Sequence, residues 1–445
     1  MELSKPAIIG GTPVRKKPFP RYNTIGDEEK KVVMEILDTG VLSEFYGSNV
    51  DRFWGGKYVR SLEKQWTEFF DVKHSLSFNS ATSGLIAAVG ALGIGPGDEV
   101  IVSPYTMSAS GTSILFYNAI PVFVDIEDDY FCIDADKIEK SITPHTKAII
   151  AVHLFGQPAD MTSIMKIARK YDLSVIEDAA QSPGAMQKNR YTGTIGDIGV
   201  FSLNCHKAIQ TGEGGMCVTN NPELAKRLAL IRNHAEAVIA GGMEVKDPAN
   251  MIGYNFRLTE LQAAIGRIQL EKLEEINRSR QNYVDYINRM LGQVDGIHVP
   301  AVRDECTHVY YNYNIQVDEE VLGLPRDLLV RVLQAEGIPV WSGYVKPLYL
   351  YPLYSQGGVY GKVGCPFSCT YYKGLKQKYA KGLCPVTESV NDKIICMQDL
   401  RGILKEDDLK DVGVAYYKVV ENKEKILNWA KLNTNNKQES NIVHQ

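Results

Sequence analysis

The chain has no apolar run approaching the ~20 residues that a membrane-spanning helix needs, so no helical span is expected. It also has no excess of positive charge. Lys and Arg number 49 against 53 Asp and Glu, a net charge of -4, which gives no electrostatic case for nucleic acid or an anionic membrane as main partner. The opening Met-Glu-Leu-Ser-Lys-Pro lacks a basic stretch followed by an apolar one, and no signal peptide is expected. Cysteine is sparse. The eight thiols are spread from Cys132 to Cys396 without a dense framework, which fits reduced cysteines in a cytoplasm. No repeat at solenoid periods is visible. What remains is a composition of 44% hydrophobic and 23% charged residues, that of a globular protein rather than a disordered one. A chain of 445 residues has room for two or three domains, or for one large domain and a smaller one.

From about residue 60 to 220 short apolar runs alternate with helix-like segments. The strand candidates are Glu99–Ser103, Ile120–Asp125, Ala148–Leu154, Leu173–Glu177, Ile198–Leu203 and Met216–Thr219, rich in Val, Ile and Phe as buried strands are. The clearest helix is Asp160–Tyr171, where Asp160 can cap and Met161, Ile164, Met165 and Ala168 form one apolar face. This alternation predicts an α/β domain with a mainly parallel sheet, whose ligands lie at the carboxyl ends of the strands. A long helical stretch, Leu258 to Leu291, is expected to break near Asn277–Ser279 and to lead into a second domain. The expected division is a large α/β domain over 1–277, a small α+β domain over 278–431 and a loose polar tail over 432–445.

Three strand-end loops stand out. Ser80-Ala81-Thr82-Ser83-Gly84 leads into a helix of small residues. Hydroxyls and unpaired N–H groups there suit a phosphate, although the turn taken alone reads first as an ordinary Ser/Thr cap. The run Val175–Ser182 is a buried strand ending in Glu177 and Asp178; a carboxylate there either holds a ligand cation or ring nitrogen, or caps the next helix. In Phe201–Ala208, followed by Thr211-Gly212-Glu213-Gly214-Gly215, Lys207 lies in a turn between two apolar strands. Such a lysine is a candidate Schiff-base nucleophile, or else a surface lysine. The three loops together match the needs of pyridoxal phosphate: a lysine to bond it, an aspartate to keep its ring nitrogen protonated and a phosphate cradle.

The chain resembles the DegT/DnrJ/StrS family of sugar aminotransferases. The resemblance runs from about Gly10 to Tyr417. It rests on the blocks at 55–59, 95–102 and 177–181, the lysine block with Gly-Glu-Gly-Gly at 201–215, and Gly-Tyr-Asn-Phe-Arg-Leu-Thr-Glu at 253–260. It implies the fold-type I pyridoxal-phosphate architecture. By the same resemblance Lys207 bonds the cofactor and shuttles protons, Asp178 pairs with the ring nitrogen, and Gln181 approaches the ring oxygen. Thr82, Ser83 and Ser202 hold the phosphate, and Asn255 reaches it from a partner subunit in a homodimer. The family places an aromatic ring over the cofactor in the segment matching Pro104–Ser110; here Met107 matches, with Tyr105 nearby. The stretch Leu42–Trp54, carrying Phe45, Tyr46, Arg52 and Phe53, is longer than the family's segment and is either a substrate loop or an insertion.

The implied reaction is a transamination in two halves. It runs from an amino acid, L-glutamate, to a keto sugar carried by a nucleotide, for a polysaccharide, glycan or antibiotic. A keto-cyclitol is an alternative acceptor. A pyridoxamine-dependent sugar dehydratase is disfavoured by Lys207, because related dehydratases carry histidine there. A cofactor-binding regulator without catalysis is the other alternative, and no DNA-binding appendage is visible. Cys365-x3-Cys369 with Cys384 and Cys396 lacks histidine and finger spacing, so no metal is expected. His153 reads as structural or pocket-lining, and His206 as the neighbour of the lysine.

Overall fold

A computed structural model describes residues 4–442 apart from 362, 363, 369, 375, 376, 399 and 401. Its strands are β1 His74–Phe78, β2 Glu99–Val102, β3 Ile120–Phe123, β4 Thr146–Val152, β5 Ser174–Asp178, β6 Met186–Gln187, β7 Arg190–Tyr191, β8 Ile198–Ser202, β9 Gly215–Thr219, β10 Ile297–His298, β11 Cys306–Thr307, β12 Tyr313–Val317, β13 Trp341–Ser342 and β14 Ile394–Met397. Seven of them form the central sheet in the order β1-β9-β8-β5-β4-β2-β3. The pairs β2–β3, β2–β4, β4–β5 and β5–β8 are parallel. The pairs β8–β9 and β1–β9 are antiparallel. Because β9 turns back against both neighbours, β1 and β8 run the same way. The carboxyl ends of β1, β2, β5 and β8 therefore share one edge of the sheet with the amino end of β9.

The expected parallel α/β domain is present, and each strand candidate overlaps an observed strand. β1 is an addition. Helices cover the sheet closely because their residues are small. In the helix Ala81–Ala91 a Cβ on Gly84 would lie 3.0 Å from Cys217 Sγ and Val200 Cγ1. In Met161–Tyr171 the Asp160 carboxylate accepts the Ser163 N–H, as the sequence predicts.

The long helical stretch breaks at Lys272, between Glu260–Glu271 and Leu273–Leu291, rather than at Asn277–Ser279. Asn277 stays inside the second helix because its amide donates to Pro183 O at 2.9 Å, so its polarity serves a tertiary contact. That helix joins two cores. Leu273 packs with Trp66, Phe70 and Phe201 beside the sheet. Val284, Ile287 and Leu291 pack with Ile315, Leu329, Val412 and Tyr416, under the antiparallel sheet β10-β12-β14-β13.

The N-terminal segment, expected with the large domain, lies on the second core through Phe19, Ile8 and Val14. The reason is polar. The buried Glu336 carboxylate accepts Ala7 N–H at 2.7 Å and Val14 N–H at 2.9 Å, and Arg15 pairs with Asp408 at 2.8 Å. Further along, the Tyr22 hydroxyl donates to Ala208 O, beside the lysine loop. At the other end the helix Glu406–Glu421 packs on the same core through Leu409, Val412 and Tyr416, whereas the expected loose tail begins inside a helix, Lys423–Ile442.

Candidate active site

The shared sheet edge carries a cavity of about 340 Å³ whose walls include Thr82, Met107, Asp178, Gln181, Ser202, Lys207, Tyr311 and Tyr344. The loops after β1, β2 and β5, the β8–β9 reversal, and the segments carrying Tyr311 and Tyr344 meet there.

The loop after β1 opens the helix Ala81–Ala91. Ser80 caps it, accepting the Ser83 N–H at 3.1 Å. The first N–H groups of a helix have no acceptor within it, and Ser80, Ala81 and Thr82 of this turn line the cavity. Thr82 is exposed on this turn. Ser83 is turned away: it is buried, and its hydroxyl donates to Asn79 Oδ1 at 2.5 Å and lies 2.9 Å from Ser80 Oγ. Of the two expected phosphate ligands on this turn, Thr82 therefore lines the cavity and Ser83 braces the cap. Gly215 makes the cradle possible, because a Cβ there would lie 2.6 Å from Ala81 N and from Ser80 C.

Successive side chains of a strand point to opposite faces, and this separates the two carboxylates ending β5. Asp178 lies on the cavity wall. Its Oδ2 accepts the Ser110 hydroxyl at 2.8 Å, and Oδ1 accepts Ala180 N–H at 3.2 Å. Since Ser110 spends its proton on Asp178, the Thr106 hydroxyl 3.2 Å away donates to Ser110. Glu177 faces inward and is fully buried. It accepts N–H groups from Gly193, Ile195 and Gly196 and a bond from His153 Nε2 at 2.9 Å. His153 Nδ1 accepts Ala159 N–H, so the ring's proton is on Nε2. Burial by itself would raise the Glu177 carboxyl, but the His153 bond and the backbone N–H groups outweigh it and hold the carboxyl below its ordinary range. His153 is thus a structural histidine outside the cavity.

Lys207 lies in the reversal between β8 and β9, closed by Leu203 N–H to Gly214 O at 2.9 Å and Cys205 N–H to Gly212 O at 2.8 Å. Gly212 has φ +80, a left-handed conformation that glycine adopts without strain. The lysine side chain reaches into the cavity, its Nζ 4.4 Å from the centre of the Tyr311 ring. Ser202 is on the wall at the end of β8.

Gln181 donates to the Tyr344 hydroxyl at 3.1 Å and accepts Phe155 N–H at 2.8 Å. Burial pushes the Tyr344 phenol well above its ordinary value. Met107 is 58% exposed and lines the cavity, whereas Tyr105 is buried beneath it and donates to Asn391 Oδ1 at 3.1 Å. Asn255 is exposed and outside this chain's own cavity; its C=O accepts the amide of Asn79, the residue that leads into the phosphate turn, at 3.3 Å. In the stretch Leu42–Trp54, Phe45 and Phe53 are core residues, while Tyr46 is exposed with the Arg52 guanidinium 5.5 Å from its ring. Of the four cysteines weighed as metal ligands, Cys369 lies outside the described residues.

Tyr311 and Tyr344 escaped the sequence reading. Each stands far along the chain in an aromatic stretch whose spacing matches no motif. Ser110 and Thr106 escaped as well, although they flank Met107.

The donor set fits pyridoxal phosphate. The Thr82 turn at a helix start, the buried Asp178 carboxylate with both oxygens fixed and the Lys207 amine from the β8–β9 turn line one cavity. Fold and site define a fold-type I pyridoxal-phosphate-dependent aminotransferase. The chain belongs to the DegT/DnrJ/EryC1/StrS aminotransferase family, which matches residues 24–377. It is 37% identical over 337 residues to the GDP-perosamine synthase of Caulobacter vibrioides, covering 74% of this chain and 84% of that one. To the L-glutamine:2-deoxy-scyllo-inosose aminotransferase of Streptomyces kanamyceticus it is 29% identical, over 95% of this chain and 98% of that one. Among solved structures it resembles S. venezuelae DesV in complex with a ketimine intermediate, with TM-score 0.74 and 28% identity, over 90% of this chain and 99% of that one.

Proposed function

We propose that this aminotransferase moves an amino group from L-glutamate to the ketone of a nucleotide-linked keto-deoxy sugar, as a cytoplasmic homodimer with shared active sites. The observation that carries the reading is the convergence of Lys207, Asp178 and the Thr82 turn on one cavity, supported by the likeness to a GDP-perosamine synthase.

Bound pyridoxal phosphate supplies the aldehyde that takes up the amino group and a ring that accepts an electron pair. The protein supplies everything else. Thr82, Ser202 and the N–H groups opening the helix hold the phosphate. Asp178, fixed by Ser110 and Ala180, keeps a proton on the ring nitrogen, and Gln181 meets the ring oxygen. Met107 covers a ring face with its thioether. Lys207 would hold the cofactor's aldehyde carbon; freed by the amino donor, its amine would take the proton from the donor's α-carbon, and in the second half it would give a proton to the sugar carbon. Asn255 of the partner subunit completes the phosphate site. Its exposure in the single chain, beside the loop that leads into that site, is what such sharing requires.

A keto-cyclitol acceptor is the second reading. It is favoured by the likeness to a scyllo-inosose aminotransferase along nearly the whole of both chains, which also raises L-glutamine as donor.

The test is a panel of nucleotide keto sugars and keto-cyclitols offered with glutamate or glutamine, read by product mass. A mass shift for replacement of =O by –NH2 on a nucleotide sugar is expected. Amination confined to cyclitols would select the second reading, and Lys207→Ala retaining turnover would overturn the assigned chemistry.

A further inference from the structure

The transamination cycle leaves one of this chain's own groups without a described partner. Once Lys207, displaced by the amino donor, has taken the proton from the donor's α-carbon, a flexible, charged side chain is loose in the cavity. It must stay close to the reacting carbon without pairing irreversibly with Asp178 or Glu213, both of which also border the cavity. Its Nζ lies over the face of Tyr311, 4.4 Å from the ring centre. That separation is within the range at which an ammonium is attracted to the electron-rich face of an aromatic ring.

The ring itself is fixed. Tyr311 is buried. Its N–H donates to Phe155 O at 2.7 Å, and its hydroxyl accepts the Gln398 amide at 3.2 Å. Phe155 is held in turn. It has φ 59, a left-handed conformation that is strained for a bulky residue and persists only where its surroundings enforce it. What enforces it is visible. In that conformation one residue offers its N–H to Gln181 Oε1 and its C=O to Tyr311 N–H, while its ring packs 4.8 Å from that of Tyr344. The adjoining Gly156 lets the two backbones meet: a Cβ there would lie 2.9 Å from Tyr310 N. A single strained turn thus registers Gln181 and Tyr311 against each other across the two domains.

We propose that Tyr311 is the positioning residue that receives the Lys207 ammonium once the freed lysine has taken up the α-proton, and that the Phe155 turn holds its ring in place for that task. The inference rests on the reading of Lys207 as the reacting amine. The face of an aromatic ring suits the role because it attracts an ammonium without accepting its proton, so the lysine keeps its capacity to return that proton to a carbon.

The experiment uses cofactor-free protein and a small amine-acylating reagent, with the labelling rate of Lys207 followed by peptide mass. Tyr311→Leu and Tyr311→Met, which remove the ring face, are expected to speed labelling about five-fold. Tyr311→Phe, which keeps the face, is expected to restore the slow rate. Equal rates for Tyr311→Leu, Tyr311→Met and wild type would overturn the proposal. So would Tyr311→Phe labelling as fast as Tyr311→Leu, since the hydroxyl's bond to Gln398 would then be what matters. In parallel, cofactor-loaded wild type is reduced with borohydride and mapped. An adduct absent from residue 207 would overturn the underlying reading of the lysine. An adduct at that residue with unchanged labelling rates would overturn the role of Tyr311 alone.

Discussion

Two neighbouring carboxylates on β5 should respond in opposite ways to loss of their charge. Glu177→Gln preserves shape but turns one acceptor oxygen into an NH2 group. Oε1 accepts from Ile195 and Gly196 N–H, and Oε2 accepts from Gly193 N–H and His153 Nε2. Whichever way the new amide turns, two buried donors face a donor. An unsatisfied buried group costs about 1–3 kcal/mol, so the substitution should remove about 4 kcal/mol from a total that for folded domains is about 5–15 kcal/mol. Asp178→Asn differs. Its oxygen can stay on Ala180 N–H while its NH2 meets Ser110 Oγ, which rotates to accept, so about 1 kcal/mol or less should be lost.

Activity should invert the order. Asparagine cannot hold a proton on a ring nitrogen by charge, and loss of such a stabilising group slows turnover about 100-fold or more. The assay pairs urea unfolding of the cofactor-free proteins with glutamate-dependent change in cofactor absorbance. Equal destabilisation by the two variants, or Asp178→Asn turning over near the wild-type rate, would refute the division of labour.

The stability half also carries a pH signature. Because the folded Glu177 carboxyl is held below its ordinary value, its contribution is fully present above the unfolded carboxyl's pKa and is lost as pH falls through the lowered folded one. The gap between wild type and Glu177→Gln should therefore be wide at neutral pH and close progressively on acidification.

Two further substitutions probe the phosphate cradle. Gly215→Ala should force β9 away from the Ser80–Ala81 turn, because its Cβ would lie 2.6 Å from Ala81 N. The expected cost is about 1–3 kcal/mol together with loss of cofactor affinity, read by unfolding and by absorbance titration; unchanged affinity would contradict the cradle. Thr82→Ala should weaken cofactor binding about tenfold through loss of one hydrogen bond to a charged group. Ser83→Ala, whose hydroxyl is engaged with Asn79, should cost about 1 kcal/mol of stability with affinity near that of wild type. The reverse ranking in an absorbance titration would mean that Ser83 is the one that reaches the phosphate.

The difference between what the sequence disclosed and what it hid follows from the range of the interactions concerned. Strand cores such as Ala148–Val152 announce themselves because a buried parallel strand needs apolar residues on both faces. The Asp160 cap announces itself because capping acts over three residues. Lys207 was legible because its hairpin is local: β8, the turn glycines and β9 are contiguous. β1 was harder, since His74-Ser75-Leu76-Ser77 mixes serine into a strand; Ser77 Oγ is satisfied by Glu63 at 2.9 Å, a partner on the preceding helix. The break at Lys272 was hidden for the same reason, as Asn277 has the look of a helix breaker until Pro183 O is known to be its acceptor.

The small domain's share of the site was the least legible, and necessarily so. Tyr311 reaches Lys207 only because Phe155 adopts a left-handed turn and Gly156 admits a second backbone. Neither residue carries a local signal that pairs it with a segment more than a hundred positions away. Chemistry held within one supersecondary unit can thus be read from residue order. Chemistry assembled by the meeting of two domains becomes visible only where a strained residue such as Phe155 marks the place at which they are locked.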